Sequence, residues 1–383
     1  MRQRSTGLTT RRALLGRALL GAALGGAALK RAGLLPVLAA PAIAQSRRKV
    51  TLVYGVQVID SSADDFFASI PLGLGFYAAE GLDVEIQTVA GASAAVNLLL
   101  SGQAQFITHG TAGLFAAVDH GVPIRSFICQ VPDYFVSIAV QDDGPIKRFE
   151  DLKGKTIGVS ANGGAPVYVV KAIMQRLGWN PDTDVQFLAV GTSLPALDAL
   201  QRDRVQAIVE WDSIFALFEF HGAKLRYFRP DPIPQIGFTH ATNTMIETLE
   251  KDPQMVEGLG RAMAKAIVIM AAAPPAELAR LHFKMFPASK PTNLSEADIL
   301  RLDALRQAAR LRFMRIQQRV FARTEQLGDC SDAGIEAERD LLAQGGELKK
   351  PLPPASYFTR QFLPAFNAID VPGLIAQAKS LRV

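Results

Sequence analysis

Between residues 49 and 228, short runs rich in β-branched and aromatic residues alternate with stretches in which apolar residues recur every three or four positions. The short runs predict strands, and the longer stretches predict helices. In the first half of this region the predicted strands are residues 50–56, 82–89, 105–108 and 124–130, and the predicted helices are residues 71–80, 93–100 and 111–120. Strands that are separated by helices in this way form parallel βαβ units.

The alternation starts again near residue 135. The second set has predicted strands at 135–140, 156–159, 185–190 and 205–209, with predicted helices at 165–177 and 195–202. From residue 252 onward the pattern is helical, with predicted helices at 255–272, 276–285, 296–321 and 334–343. The pattern therefore predicts an α/β protein of two lobes, each with a mainly parallel sheet flanked by helices, and a helical C-terminal tail.

A parallel sheet binds ligands beyond the carboxyl ends of its strands, where loops lead into helices. Five such loops are predicted, at residues 57–69, 90–93, 109–113, 160–164 and 210–213. Three of them bring small residues to the start of a helix: Gly91-Ala92-Ser93, Gly110-Thr111-Ala112-Gly113 and Asn162-Gly163-Gly164. The free amide N–H groups of a helix start suit an acceptor oxygen, and ordinary turn chemistry is the alternative interpretation.

The composition indicates a globular protein, and its excess of basic residues is confined to the N-terminus. The chain has 383 residues, of which 49% are apolar and 20% charged, so disordered and low-complexity classes are excluded. The net charge is +5, but the first 44 residues hold seven Lys and Arg and no acid. Without those seven cations the net charge is −2, so the remaining chain gives no indication of a nucleic-acid surface.

The N-terminus resembles a secretory signal. A basic segment precedes an apolar run at residues 13–28, and Ala42-Ile43-Ala44 is a small-x-small cleavage site before Gln45. Residues 10–15, TRRALL, resemble the twin-arginine export signal, which carries folded proteins. A membrane-spanning helix is the alternative, but Lys30-Arg31 interrupts it. We expect export, cleavage after Ala44 and a soluble periplasmic protein.

The cysteines and histidines predict no metal site or cofactor. The five histidines are scattered, and no His/Cys cluster has metal-ligand spacing. The two cysteines, Cys129 and Cys330, are far apart in the chain. Two interpretations stay open for them, a disulfide or a pair of free thiols.

Four motifs resemble one known family. Residues 71–85 read PLGLGFYAAEGLDVE, residues 101–106 read SGQAQF, residues 151–159 read DLKGKTIGV, and Ala199-Leu200 precedes Val205-Gln206-Ala207. Together they resemble the periplasmic solute-binding proteins of the nitrate/sulfonate/taurine and thiamine-pyrimidine-precursor (NMT1/THI5-like) ABC transporter family. The resemblance covers about residues 49–245.

The resemblance implies a type II periplasmic-binding-protein fold. Lobe 1 would be residues 45–140 plus 242–383, lobe 2 residues 141–237, and the crossings would lie near residue 140 and at 238–244. It also implies a protein that is not an enzyme, binds a small-molecule solute between its lobes as a monomer, and delivers it to an inner-membrane ABC permease. The same resemblance includes enzymes of pyrimidine synthesis, but these carry a cysteine-rich motif that is absent here.

The charges of the five loops favour one class of solute. Family members that bind anions would be expected to place a basic side chain in such a loop, and these five contain no Lys or Arg. They contain instead Asp60, Asp64, Asp65, Glu210 and Asp212. We therefore expect a neutral or cationic nitrogen-containing solute such as a pyrimidine precursor, which Trp211 would stack against. The alternative is a small oxyanion (nitrate, sulfonate or taurine) or an aromatic carboxylate.

The candidate ligand-binding residues lie in these loops and at the crossings. They are Gln57, Asp64, Asp65, Gly91, Ala92, Ser93, His109, Gly110, Thr111, Tyr134, Asn162, Gly163, Gly164, Glu210, Trp211, Asp212 and Phe238. A structural interpretation stays open for several: a core-capping Trp211, an N-capping Asp212, solvated Asp64 and Asp65, a structural His109, and a Tyr134 and Phe238 that pack the hinge. We expect Trp211→Ala and Asp212→Ala to weaken solute binding with little change in the melting temperature of the unliganded protein.

Overall fold

The first sheet combines four early strands with one that comes much later in the chain. The computed structural model describes residues 46–383 except 161–164, 192, 314, 324 and 345. The strands are β1 (Arg48–Tyr54), β2 (Leu82–Thr88), β3 (Phe106–Gly110), β4 (Ile124–Val131) and β10 (His240–Met245). Their order in the sheet is β2-β1-β3-β10-β4. Strand β1 is parallel to β2 and β3, and β10 lies antiparallel between β3 and β4.

The second sheet repeats this arrangement. Its strands are β5 (Val136–Gln141), β6 (Thr156–Val159), β7 (Gln186–Ala189), β8 (Ala207–Trp211) and β9 (Leu225–Phe228), in the order β7-β6-β8-β5-β9. Strand β6 is parallel to β7 and β8, and β5 lies antiparallel between β8 and β9. Each sheet is thus mainly parallel, with one antiparallel strand that enters from the other sheet. The predicted fold class is confirmed.

The strand pairings locate the two crossings between the sheets. Strand β4 ends at Val131 and β5 begins at Val136, so residues 132–135 connect the first sheet to the second, and the prediction of a crossing near residue 140 stays a prediction. The second crossing is residues 236–239, after the 3-10 turn Ile233–Gln235 and before β10. Residues 136–140 and 240–244 are strands because they pair in the second and first sheet, respectively. An apolar run predicts a strand but does not indicate which sheet it joins.

Seven helices flank the two sheets. They are α1 (Ser69–Gly73), α2 (Phe76–Ala79), α3 (Ala92–Leu100), α4 (Ala112–Asp119), α5 (Ala165–Arg176), α6 (Leu194–Gln201) and α7 (Asp212–Phe220). The single helix predicted over residues 71–80 is two short helices, because Gly75 adopts a left-handed conformation (φ 71°) between them. Another 3-10 turn, Phe149–Leu152, lies in the DLKGKTIGV region and leads into β6.

The C-terminal part of the chain is helical, as predicted. Its helices are α8 (Ile246–Lys251), α9 (Pro253–Ala272), α10 (Pro275–Met285), α11 (Glu296–Phe313), α12 (Ile316–Ala322), α13 (Asp332–Gln344), α14 (Leu363–Asn367) and α15 (Val371–Lys379), with 3-10 turns at Pro287–Ser289 and Pro354–Ser356. The helix predicted over residues 296–321 is divided into α11 and α12, with Arg315 at a positive φ of 45°. The sequence pattern does not predict α14 and α15.

Two helices of the tail pack against elements of both sheets. Helix α11 contacts α10 on one side and α7, which follows the second sheet's β8, on the other. Helix α13 contacts α4 and α5. Its Ile335 and Leu342 are buried in the core of the first sheet, whereas Leu341 is buried in the core of the second. The assignment of residues 242–383 to lobe 1 stays a proposal, as does the division of the chain into two lobes, with α11 and α13 as bridges.

The described ranges hold neither a membrane-spanning helix nor a cluster of metal ligands. None of the helices in these ranges combines the length and apolar character that a membrane span needs. Within the same ranges, no group of three or more His, Cys, Asp or Glu side chains is arranged to hold a metal ion.

Helix α9 is buried along most of its length, and α14 approaches it closely at Gly260. A Cβ atom at Gly260 would lie 2.2 Å from Cε1 of Phe366, whose ring is fully buried. We expect Gly260→Ala to destabilise the protein by about 1–3 kcal/mol, because the ring has no room to move. Urea denaturation measures this change.

Gly258→Ala in the same helix is the matched control. Its Cβ would lie 3.2 Å from Glu80 Cβ, and the gain in helix propensity of about 0.5–1 kcal/mol opposes this tighter contact. If Gly258→Ala lowered the free energy of unfolding as much as Gly260→Ala, the packing explanation would be contradicted.

Candidate functional site

Three loops meet at the carboxyl edge of the first sheet. A Cβ atom at Gly55, just after β1, would lie 2.9 Å from His109 Cβ and 3.5 Å from Ala92 Cα. A Cβ at Gly113 would lie 2.3 Å from Ala92 Cβ. These glycines therefore let the loops after β1, β2 and β3 approach one another. The structure brings two of the predicted site regions together, the start of α3 and the end of β3.

The starts of α3 and α4 differ in their accessibility. Gly91 precedes α3 with φ 96°, and Ser93 lies within the first turn of the helix and is exposed. Gly110 is exposed at the end of β3. Thr111 is buried, and its hydroxyl lies 2.5 Å from the Phe238 carbonyl oxygen and 2.8 Å from a Glu338 oxygen. Thr111 thus links the first sheet to the second crossing and to α13.

His109 is held by structural contacts. Its Nδ1 lies 2.7 Å from the Gly110 carbonyl oxygen, and its Nε2 lies 3.5 Å from Asn243 Nδ2. Burial lowers the pKa of the His109 imidazole, partly opposed by the bond to Gly110. Gln57, by contrast, is exposed, as are its neighbours Val56 and Val58. The loop after β1 therefore presents an accessible surface beside a buried imidazole.

The adjacent acids Asp64 and Asp65 have different partners. The Asp65 carboxylate accepts hydrogen bonds from the Ser69 hydroxyl and the Ser62 amide, and lies 2.9 Å from His282 Nδ1 in α10. Burial lowers the pKa of His282, but the bond and charge of Asp65 outweigh it, and the net shift is upward. Asp65 therefore ties the loop to the tail, and neither acid is solvated.

Asp64 belongs to a polar cluster between the two sheets, which we call the central cluster: Tyr54, Asp64, Asp212, His240 and Arg310. Arg310 Nη2 lies 3.1 Å from Asp212 Oδ1, and both side chains are almost fully buried, at 4% and 0% exposure. The Tyr54 hydroxyl lowers the pKa of Asp64, and the charge of Arg310 lowers the pKa of Tyr54, Asp64 and His240. The cluster thus joins the ends of β1 and β8 and the start of β10 through α11.

Burial dominates the protonation of this cluster. It raises the pKa of Asp64 to about 7, against the hydrogen bond from the Asp60 amide at 2.7 Å, which lowers it. It also raises the pKa of Asp212, against the lowering effect of Arg310. Burial, together with the charges of His109 and Arg310, lowers the pKa of His240 to about 3, so its imidazole is neutral.

His240 and Glu210 carry buried polar atoms without hydrogen-bond partners among the described residues. The His240 ring lies 5.8 Å from the ring of Phe66 and 6.1 Å from those of Phe67 and Tyr54, and both of its nitrogens lack a partner there. Both oxygens of Glu210 also lack one, and Glu210 lies opposite Ser137 in the register of β8 and β5. Burial raises the pKa of Glu210 to about 8.

Trp211 and Asp212 connect β8 to α7. Trp211 is half-buried and packs against both cores of the second sheet, which agrees with the core-capping interpretation. Asp212 is the first residue of α7, and its carboxylate accepts the Ser213 amide at 2.8 Å. The N-cap position is Trp211, so the N-cap interpretation of Asp212 is wrong. The Asp212 carboxylate pairs with Arg310 because a buried charge requires an opposite one.

The remaining predicted residues lie at the crossings or outside the described ranges. Phe238 is fully buried, with its ring 5.9 Å from that of Phe115 and 5.8 Å from that of Phe358. Tyr134 is also buried, and Arg229 donates a hydrogen bond to its carbonyl oxygen. Both therefore pack at the crossings. Asn162, Gly163 and Gly164 lie outside the described residues.

Sequence reasoning missed the basic residue of the cluster. Arg310 lies in α11, almost 100 residues after the last predicted loop, so a search of the loops does not find it. A signal was present in α11, because Asp303, Gln307 and Arg310 recur at helical spacing on one face and all three are buried. A polar stripe on a buried helix face indicates a polar partner.

Comparison with known proteins agrees with the architecture. Residues 72–277 match the family model described as NMT1/THI5 like. No curated protein matches the chain.

Solved structures of similar fold include proteins described as solute-binding and one described as an enzyme. A Bordetella bronchiseptica RB50 protein is 21% identical, with a TM-score of 0.60, and the match covers 83% of this chain and 96% of that one. A putative periplasmic sulfonate-binding protein, SsuA, of Methylobacillus flagellatus KT is 14% identical, with a TM-score of 0.59 and coverages of 84% and 94%. The desulfurization enzyme DSZB is 16% identical, with a TM-score of 0.51 and coverages of 83% and 98%. At these identities the likeness shows the periplasmic-binding-protein fold alone.

The buried pair of Asp212 and Arg310 leads to a prediction about the stability of variants at these two positions. Arg310→Met leaves a buried carboxylate without its cation, and we expect a loss of about 3–5 kcal/mol. The double variant Asp212→Leu/Arg310→Met removes both charges and should recover most of that loss. Urea denaturation of both single variants and of the double variant measures the coupling between the two side chains. Additive losses would show that the pair does not stabilise the fold.

The buried Glu210 makes a prediction for the pH dependence of stability. Its folded pKa of about 8 lies above the usual value of 4.5, so the folded state binds a proton that the unfolded state releases. Stability from this group is present at low pH and is lost as the pH rises from about 4.5 to about 8. Glu210→Gln should therefore have a flatter dependence than the wild type over this window, as measured by chemical denaturation at several pH values.

Glu247→Gln is the control for this experiment. Glu247 is exposed, and its bond to Lys251 lowers its pKa, so the substitution should leave the slope between about pH 5 and pH 8 unchanged. If the free energy of unfolding varied with pH in the same way for wild type and Glu210→Gln, a protonated Glu210 in the folded protein would be contradicted.

Proposed function

Because the chain belongs to the NMT1/THI5-like family, we propose that it is the solute-binding component of an ABC importer, which binds one small solute between two lobes. The observation that carries this proposal is the central cluster, in which buried polar residues of both sheets meet at the carboxyl ends of their strands. Ligands of open α/β sheets bind at this edge. Each lobe would contain one sheet, with the crossings at residues 132–135 and 236–239 as the hinge.

The proposal also covers the export of the protein and its protein partner. Residues 1–44 would be a twin-arginine-type signal that is cleaved after Ala44, and the remaining chain would act in the periplasm as a monomer. Its protein partner would be an inner-membrane permease, which receives the solute. The solute would leave the protein chemically unchanged, so the protein would not be an enzyme.

For the solute we propose a neutral nitrogen-containing heteroaromatic compound. The predicted loops contain no basic residue, and α11 supplies one, Arg310. Its charge is neutralised by Asp212 at 3.1 Å, so the central cluster has no excess of positive charge. Glu210, with a pKa of about 8, is an O–H donor at neutral pH, and a buried carboxyl of this kind suits a ring nitrogen. Trp211 is half-buried and has a face available for stacking.

A small oxyanion such as a sulfonate is the second candidate, and Arg310 is the observation that favours it. An anion that enters the cluster could replace the Asp212 carboxylate as the partner of the guanidinium. The M. flagellatus protein of similar fold is described as sulfonate-binding. The two candidates differ in whether Arg310 faces Asp212 or the solute in the bound state.

A ligand screen tests the proposed function. Purified mature chain would be tested by thermal shift against pyrimidines, amines, alkanesulfonates, nitrate and aromatic carboxylates. A compound present at about 100 times its Kd should stabilise the protein by about 2.7 kcal/mol. Small-angle scattering should then show a more compact protein with that compound, and mass spectrometry should recover it unchanged. Turnover of the compound, or binding without any change in the scattering profile, would contradict the proposal.

The two tryptophans supply a matched pair of variants. We expect Trp211→Ala to weaken binding of the compound found in the screen by at least about tenfold, because an aromatic stacking face is lost. Trp179 stacks on Phe149 with ring centroids 5.8 Å apart, away from the strand ends, so Trp179→Ala should lower the melting temperature and leave the Kd unchanged. Calorimetric titration measures both. Equal Kd values for wild type and Trp211→Ala would remove Trp211 from the site.

A further inference from the structure

The two cysteines of the chain, 201 residues apart in sequence, are neighbours in the fold. Cys129 is in β4, and Cys330 is in the segment between α12 and α13. The Cys129 amide donates a hydrogen bond to the Gly328 carbonyl at 2.8 Å, which aligns the two backbones. Both thiols are free and buried in the same core, and the neighbouring Cys129 contributes, after burial, to raising the pKa of Cys330.

The backbone around Cys330 is held in place by one arginine. Arg360 pairs with Asp329 at 2.9 Å and with Asp332 at 2.8 Å, and it donates to the Cys330 carbonyl at 2.5 Å. On the other side, Cys129 is fixed by the pairing of β4 with β10. Two thiols that are held close together by rigid backbones lose little further freedom when they are joined.

A cavity lies beside Cys330. It has a volume of about 470 Å³ and is lined by Cys330 and Ser331 together with residues of both crossings, among them Asp133 and Gly237. Cys330 lines this cavity and is 5% exposed, whereas Cys129 is 1% exposed, so a small oxidant would meet Cys330 first. Burial raises the pKa of the Cys330 thiol, so little thiolate forms and the reaction with the folded protein is slow.

We propose that Cys129 and Cys330 form a redox site that closes to a disulfide when it meets a small disulfide oxidant. The Cys330 thiol gives up its proton and attacks the oxidant, which releases one thiol and leaves a mixed disulfide on Cys330. The Cys129 thiol then gives up its proton and attacks the Cys330 sulfur, which releases the second thiol. Both cysteine protons end on the two released thiols, and the oxidant is reduced by two electrons.

This disulfide would tie the first sheet to the start of α13, beside the second crossing. The Gly237 amide of that crossing donates to the Gly334 carbonyl of α13 at 3.3 Å. A Cβ at Gly334 would lie 2.6 Å from Gly237 Cα, so the two segments are in close contact. Because α13 packs against both cores, the cross-link would hold a bridging helix in position.

Oxidation of the purified full chain with glutathione disulfide tests the site. After acid quenching, denaturation and treatment with iodoacetamide, the oxidised protein should carry no alkyl group and be about 2 Da lighter than the reduced protein before alkylation. A peptide map should show Cys129 joined to Cys330. The melting temperature should rise by several degrees and return to its starting value with dithiothreitol.

The single variants Cys129→Ser and Cys330→Ser are the controls, and neither should show this response of the melting temperature to the oxidant. The proposal would be overturned if both cysteines were still alkylated after a long incubation with the oxidant, and again after the protein was refolded from urea in the presence of the oxidant. So would a stable glutathione adduct on Cys330 or a cross-link between two chains. The test uses no solute, so its result is independent of the proposed solute binding.

Discussion

A buried guanidinium requires a buried carboxylate, and in this protein that requirement joins the two sheets. Arg310 is carried by α11 and Asp212 begins α7, and their 3.1 Å contact leaves almost no exposed surface on either side chain. An isolated charge in this position would cost several kcal/mol, so the register of α11 against α7 is set by the pair. Tyr54, Asp64 and His240 lie within the field of the same arginine, so the geometry of the central cluster depends on where α11 lies.

The contacts of α11 differ between its face toward the first sheet and its face toward α7. Toward the first sheet, the Asp303 carboxylate accepts the Ser61 hydroxyl at 2.5 Å, Arg306 contacts Asp60 at 3.3 Å, and Gln307 donates to the Met270 carbonyl at 3.0 Å. Toward α7 the buried ion pair with Asp212 is the contact described above. Separation at α7 would bring Arg310 and Asp212 into water, which solvates both charges and compensates for the broken pair. Helix α11 is therefore tied to the first sheet by several polar contacts, and to α7 by extensive packing and one buried ion pair.

The sequence predicted those parts of the fold and site that follow from local patterns. The alternation of strands and helices predicted β1 to β8 but not β9 and β10. The rule that ligands bind at the carboxyl edge of a parallel sheet identified the loops of Ala92 and His109, which meet beside Gly55. The sheet that β5 and β10 each join is decided by tertiary pairing, which no local pattern contains. Arg310 was missed because its partner lies almost 100 residues earlier, and no local spacing connects two residues of different elements.

The class of solute depends on the charge of the central cluster, and that charge depends on which of the buried groups are protonated. Loops with several acids and no base suggest a negative site, but burial holds Glu210 (pKa about 8) protonated and Asp64 (pKa about 7) only partly ionised at neutral pH. Asp212 is balanced by Arg310, and His240 (pKa about 3) is neutral. The sum is a nearly neutral site with hydrogen-bond donors and acceptors, which selects a solute by shape and hydrogen bonding. An anion could bind there only by replacing Asp212 at Arg310, and the displaced Asp212 would then need a proton or solvent of its own.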